Sequence, residues 1–286
     1  MIEKEQPLMI RTMITSTNTM NQLQSQLNLI GNNLANSSTH GFKASNASFQ
    51  ELLYQQFDNE KADTAPRQSP PGIRYGSGAM LGQVQMNSKS GSIQQTDRQL
   101  DFALTTPKQY FNVLMPIDGQ EQTVYTRQGA FNLSPVADGQ VMLVTGEGHA
   151  VADSAGAPIT FADDVSDYSV GPDGLLSLTH ADGTRETIEL GVTVLDRPDL
   201  MQHLSGTYIG LPENMADLGV TPQDVMTNLQ GADRSVITVE SGALEGSNVD
   251  YEKEMTDLIT VQRSYQFNAR AVTLADQMLG LINGIR

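Results

Sequence analysis

The side chains best able to bind a metal or move a proton near neutral pH are four histidines, His40, His149, His180 and His203. No two of them stand at a spacing that would bring two imidazoles to one ion. Asp163, Asp164 and Asp167 offer carboxylates to calcium, but the segment lacks the Asp-x-Asp-x-Asp-Gly order and the closing Glu of a calcium loop. There is no nucleophile elbow, no phosphate-binding loop and no dinucleotide fingerprint; Gly76-Ser77-Gly78 lacks the third glycine. Cysteine is absent, which excludes thiolate chemistry and disulfides. A scattered Ser/His/Asp set stays open in any single sequence, but nothing points to one. The expectation is a chain with no catalytic residue, no metal site and no cofactor.

The informative spacing is apolar. Met13, Met20, Leu23, Leu27, Ile30 and Leu34 recur in steps of three and four, with Ser16 as the polar occupant of that seam. Leu258, Val261, Tyr265, Val272, Ala275, Leu279 and Ile282 repeat the pattern near the other end, with Asn268 inside it. Such steps predict a helix seam of coiled-coil type. The first helix is expected over residues 10–35, roughly 39 Å long at 1.5 Å per residue. Its other faces carry Thr, Asn, Gln and Ser, so few charges oppose close packing against neighbours. Asn32, Asn33 and Asn36, followed by Ser37 and Ser38, compete for backbone hydrogen bonds and end it. Gly41 can then take a positive φ, and Phe42 is expected to dock on the helical wall.

The second helix is expected over residues 248–285. Ser247 and Asp250 form a capping-box-like pair, Asp250, Glu252 and Glu254 favour its positive end, and Arg286 closes it. Asn268 either fixes register at one polar seam position or faces a solvated edge.

Between the helices, Pro66, Pro70, Pro71 and Gly72 break the chain, and Gly76, Gly78 and Gly82 follow. This predicts a linker or extended arm. Four Asp-Gly pairs begin at Asp118, Asp138, Asp173 and Asp182, beside β-type runs at 110–115, 123–125, 141–144 and 175–178. Asp-Gly flanked by such runs is a strong hairpin signal. The expected fold class is therefore α+β, with long terminal helices forming a coiled-coil region and a hairpin-rich, mostly antiparallel β middle. The expected segments are 1–45 (helix and turn), 46–82 (arm), 83–239 (β domain) and 240–286 (C-terminal helix).

The chain has 286 residues and a net charge of −16. Residues 136–233 hold sixteen acidic and two basic side chains, or −14 of that total, while both helical ends are nearly balanced. An acidic middle reads as a solvated outer face, or simply as a device for solubility. Without a basic block, nucleic acid and anionic membrane are poor partners. No apolar run reaches the ~18 residues of a membrane span, so insertion is not expected. Residues 1–8 carry Glu3, Lys4 and Glu5 with no apolar stretch behind them, unlike a Sec-type signal peptide.

Several segments resemble the bacterial flagellar rod and hook protein family. Asn32-Asn33-Leu34-Ala35-Asn36-Ser37-Ser38-Thr39-His40-Gly41-Phe42-Lys43-Ala44 is similar to its N-terminal signature, N-N-[IL]-A-N, small polar residues, then G-[FY]-K. Gly242-Ala243-Leu244-Glu245-Gly246-Ser247-Asn248-Val249 resembles the family's G-x-L-E-x-S-N-V. The stretches 254–259 and 262–269 resemble its C-terminal helix, and 91–96, 100–103 and 125–131 follow in family order. Where the family has a G-x-G-F-F turn after the position of Leu104, this chain has Thr105-Thr106-Pro107-Lys108-Gln109-Tyr110-Phe111. The length and residues 49–55, followed by the arm, resemble the distal-rod subtype. The family pattern opens near Ile10, which makes residues 1–8 an extension or the product of an upstream start codon, with Met9 as the family-like start.

The resemblance implies a structural subunit in the flagellar basal body, outside the cytosol. It would be exported through the flagellar type III apparatus without a cleaved signal peptide. It would assemble with itself as an open helical homopolymer and with other rod and hook subunits, carrying motor torque to the hook. The implied packing residues are Met13, Met20, Leu23, Leu27, Ile30, Leu34, Asn36, Gly41, Phe42, Leu258, Val261, Tyr265, Asn268, Val272, Leu279 and Ile282. A proximal rod protein of the same family is the near rival. A secreted coiled-coil adhesin or enzyme is the distant one, and would show clustered aromatics or carboxylates in a concave site.

Overall fold

The computed structural model describes residues 2–51, 55–57, 73–75, 79–117, 119–212, 215 and 219–284. Arg286 and residues 58–72, with most of the arm's prolines, lie outside them. The chain divides into two compact units, residues 1–34, 45–85 and 251–286 in one and residues 35–44 and 86–250 in the other. The signature turn therefore groups with the β-rich middle.

The first unit holds two helices of 34 residues each, Ile2–Ala35 and Tyr251–Gly284. The N-terminal helix begins eight residues earlier than expected. Glu3, Lys4, Glu5 and Gln6 are good helix formers. The C-terminal helix begins three residues later than expected. Asn248 is held by other segments instead: its Nδ2 donates to Asn87 O and Lys89 O at 2.8 Å each, and its Oδ1 accepts from the Ala44 N–H at 2.7 Å. The Ser247 hydroxyl accepts from the Val249 N–H at 3.3 Å, a turn ahead of the helix rather than its cap.

Leu23, Leu27 and Ile30 pack with Leu258, Val261 and Tyr265 in one cluster. Asn33 reaches Glu254 at one end, while Met20 and Tyr265 line a common recess further along, so the helices run antiparallel. In the same unit the arm is a two-stranded ribbon: Phe49–Glu51 pairs with Ala79–Leu81, and Gln55–Phe57 with Ile73–Tyr75. The Leu81 N–H donates to Gln22 Oε1 at 3.0 Å.

The second unit is built on a ten-stranded antiparallel sheet. Its main path runs Phe131–Pro135, Gln140–Thr145, Ala150–Val151, Gln109–Ile117, Gln120–Thr126, Tyr208–Gly210, Gln202–Ser205. Val192–Leu195 joins beside Gln109–Ile117. A three-stranded meander, Val165–Val170, Leu175–His180 and Arg185–Glu189, adds a second sheet. The Asp-Gly sites at 138–139, 173–174 and 182–183 fall where the chain reverses, while Asp118 lies outside the described residues. The Ile117↔Gln120 register leaves two residues for the first turn, and Gly119, Gly139, Gly174 and Gly183 all have positive φ. Phe102, Phe111, Phe131, Leu143, Leu176, Leu178 and Leu190 fill the core. Phe111 meets Phe131 edge-on at 5.3 Å between centroids, a favoured aromatic arrangement.

Candidate functional site

The motif segments converge on one side chain, Glu245. It sits on the strand Ala243–Glu245, which pairs with Ile93–Gln95. Its Oε1 accepts from Lys43 Nζ and from the Gly91 N–H, each at 2.7 Å, and its Oε2 accepts from Arg127 Nε at 2.6 Å. Its backbone carbonyl takes the Gly41 N–H at 2.7 Å. Arg127 spends its other donors on carbonyls: Nη1 on Thr106 and Gln109, both at 2.8 Å, and Nη2 on Leu104 at 2.7 Å. Lys43 also donates to Lys89 O at 2.8 Å. Lys43, Arg127 and Glu245 are all buried, at 4%, 2% and 1% exposure. Burial pushes the Lys43 ammonium below the ordinary lysine range, and the neighbouring Arg127 adds to that, while Glu245 works against both. Tyr110 lies 5.8 Å from the Arg127 guanidinium and is pushed up to about 12, chiefly by burial. Two cations and one anion, each tied to backbone, hold separate segments together and leave no group poised to react.

Gly41 is where the signature turn meets this cluster. Its φ is +73°, and a methyl group there would overlap the backbone of Arg127 and Gln128. Phe42 is 2% exposed and groups with the β-rich unit. The hydrogen bonds on either side of it, Gly41 to Glu245 and Ala44 to Asn248, tie the backbone of the turn to that unit. Asn36 shapes the turn before it, its carbonyl accepting the Thr39 N–H at 3.1 Å and its Oδ1 the Thr39 hydroxyl at 3.2 Å.

In the helical unit, Asn33 is the polar anchor. Its amide donates to Ser45 O at 2.9 Å and Glu254 Oε1 at 3.0 Å, and its Oδ1 accepts from the Ser45 N–H at 3.0 Å. Of the seam residues, Leu23, Ile30, Val261 and Ala275 are buried. Met13, Met20, Leu27, Leu34, Leu258, Tyr265, Asn268, Val272 and Leu279 are half-buried, and the side chain of Ile282 lies outside the described residues. Asn268 donates to Ser264 O of its own helix at 2.9 Å, so that bond does not reach across the seam.

The chemistry candidates do not assemble. His180 Nδ1 lies 2.6 Å from Asp164 and its Nε2 3.4 Å from Glu186, which raises its pKa through the Asp164 hydrogen bond first. Asp167 accepts from Gln99, and His149 stacks edge-on against Tyr208. Among the described residues, no three His, Cys, Asp or Glu side chains are placed to hold a metal ion, and no helix is long and apolar enough to cross a membrane.

Sequence reasoning did not single out Lys43, Arg127, Glu245 or Asn248, and gave Asn33 only a part in ending the helix, although all five lie inside quoted motifs. A signal was present. Lys43, Arg127 and Glu245 are each the one Lys, Arg, Asp or Glu in its motif, and they comprise two cations and an anion.

The motif residues of this cluster tie distant segments of the β-rich unit together. Three family models match the chain: the flagellar basal body rod protein model over residues 13–43, the flagellar hook protein FlgE/F/G D1 domain over 107–178, and the flagellar basal body rod FlgEFG protein C-terminal model over 240–285. The flagellar hook-basal body complex protein FlhP of Bacillus subtilis is 41% identical over 286 residues, covering 97% of this chain and 100% of the relative. The flagellar basal-body rod protein FlgG of the same organism is 30% identical, covering 95% of this chain and 97% of the relative. FlgG of Borreliella burgdorferi is 29% identical, covering 97% and 99%. This chain belongs to the flagellar basal-body rod and hook protein family and is FlgG-like.

Proposed function

We propose that this chain is a structural subunit of the flagellar rod, distal-rod-like, and that it polymerises head to tail into a helical tube carrying motor torque to the hook. It acts by packing, not by catalysis, and leaves the cytosol through the flagellar type III apparatus. The observation that carries the reading is a second apolar face on the C-terminal helix. Ile259, Phe267, Leu274, Met278 and Leu281 are exposed, Phe267 at 74% and Leu281 at 69%. At 3.6 residues per turn they fall within a sector about 100° wide, well apart from the sector of Leu258, Val261 and Tyr265 that meets the N-terminal helix. A helix apolar on two sides has one partner within the chain and room for another outside it. The relatives' names place them in the hook–basal body complex and in the rod, and either position suits an axial subunit.

Phe267→Glu tests this. The side chain is exposed, so the purified variant should keep its thermal stability within about 0.5 kcal/mol. Buried between subunits, the same carboxylate is expensive. We expect loss of motility, with basal bodies that lack hooks in electron micrographs, as in a deletion strain. Normal swimming by this variant would remove the outer face from the assembly.

A further inference from the structure

We propose that Glu245 is an electrostatic latch that keeps the turn at residues 39–44 undocked until residues 242–248 are in place, so that this turn closes last in the β-rich unit. Beside one local bond, from the Phe42 N–H to Thr39 O at 3.3 Å, the turn is held by the C-terminal segment. Gly41 bonds to the Glu245 carbonyl, Lys43 to the Glu245 carboxylate and Ala44 to the Asn248 side chain, the last two across 202 and 204 residues. The turn also lies flush on the backbone of Arg127 and Gln128.

Without Glu245 that seat is hostile. Docking would bury the Lys43 ammonium close to the buried Arg127 guanidinium with no anion between them, and like charges out of water repel strongly. The remaining partners near the turn, Lys89 O and the Asn87 N–H, are neutral and do not cancel that charge. Glu245 reaches Arg127 by a route that does not need the turn. Its strand pairs with Ile93–Gln95, and its carboxylate takes the Gly91 N–H and Arg127 Nε. The order follows: strands Gln109–Ile117 and Gln120–Thr126 present Arg127, residues 243–245 bring the anion, and Lys43 enters last. In a chain that emerges N-terminus first, the turn behind the N-terminal helix stays uncommitted until nearly the whole chain is available. This device is independent of the rod assignment, because it is tested on the isolated full-length chain.

The test is pulse hydrogen exchange with mass spectrometry during refolding from urea, together with a rescue pair. In the natural chain, the amides of Gly41 and Ala44, which bond to residues 245 and 248, should gain protection with or after those of 243–248, and after those of 109–126. At equilibrium, Glu245→Gln should lower protection at Gly41 and Ala44 by about tenfold or more relative to 109–126. Adding Lys43→Met, which removes the second cation, should restore it. A packing role alone predicts no rescue, since the double variant has lost more contacts. Protection of Gly41 and Ala44 ahead of 243–248, or no rescue by Lys43→Met, overturns the latch. Should Glu245→Gln fail to fold, the order of protection in the natural chain still decides.

Discussion

Gly41→Ala should damage the turn nearly as much as Gly41→Val, against the usual ranking in which alanine is the mild substitution. Two terms set the magnitude. At φ +73° any Cβ brings left-handed backbone strain, roughly 1–3 kcal/mol. The same Cβ meets the Gln128 nitrogen and the Arg127 carbonyl, which are backbone atoms just past the end of the strand Gln120–Thr126 and cannot swing aside as a side chain would. The alternative to bearing that overlap is to lift the turn. Lifting exposes Phe42, a loss of roughly 1.5–3 kcal/mol, and breaks the Gly41 to Glu245 hydrogen bond, roughly 0.5–1.5 kcal/mol net. It also strips Lys43 from Glu245. Both routes cost several kcal/mol, and the clash is complete at the first carbon, so the extra methyls of valine add little. Urea unfolding of the two purified variants, followed by tyrosine fluorescence, gives the comparison, and a swimming assay gives its consequence. An alanine variant within 0.5 kcal/mol of the natural chain, or one that swims normally, would refute both the close approach and the role assigned to the turn.

Glu245→Ala should lower the stability of the β-rich unit by roughly 3–5 kcal/mol, since it leaves two buried cations without their anion; a drop under 1 kcal/mol in chemical denaturation would show the cluster to be solvated. Tyr110→Phe should be neutral or stabilising by about 1 kcal/mol at pH 7, because the Tyr110 hydroxyl is buried with no hydrogen-bond partner among the described residues. The same variant should decline less in alkali. Tyr110 and Tyr125 are each pushed up to about 12 by burial, so the folded state keeps protons that the unfolded state releases near pH 10; their contribution is full below about pH 10 and is lost as pH rises toward 12. Asp163→Lys with Asp164→Lys should leave fold and swimming intact, both sites being exposed. NMR titration of that double variant should show the His180 pKa falling, because its largest raising cause is the Asp164 hydrogen bond.

The helices and hairpins were legible because their signals are local. Three-and-four spacing marks Leu23, Leu27, Ile30, Leu258, Val261 and Tyr265 without knowledge of what they touch, and those six form one cluster. An Asp-Gly pair carries its own reason to turn. The buried cluster was not legible in this way. Lys43, Arg127 and Glu245 come from three distant segments, and nothing near any of them in sequence demands a partner. The start of the C-terminal helix was misplaced for the same reason. Ser247 and Asp250 have the chemistry of a cap, but Asn248 is engaged by residues 44, 87 and 89, and that distant demand outweighs the local one.

In the proposed rod, the outer face of the C-terminal helix also limits how subunits can meet. Arg263 and Arg270 are exposed and, at 3.6 residues per turn, fall in the same sector as Ile259, Phe267 and Leu274. Two such faces brought together by a two-fold axis would set arginine near arginine while burying the apolar residues between them. Like charges near a desolvated contact oppose it, so the closed symmetric dimer is disfavoured. A contact with a different surface of the next subunit has no such restriction. The N-terminal helix offers one with Thr, Asn and Gln across its outer faces, exposed Ile10 and Ile14, and Arg11 as the one Lys or Arg between residues 8 and 35. Apolar groups supply the attraction, and the two arginines make it directional. A directional contact between unlike faces repeats without closing on itself when its rotation does not return to the start, and that is what a filament requires. Replacing both arginines with leucine should therefore strengthen association yet misdirect it, giving closed dimers by light scattering where the natural chain gives none. If the double leucine variant instead extended normal rods, the arginines would have no part in choosing the open assembly.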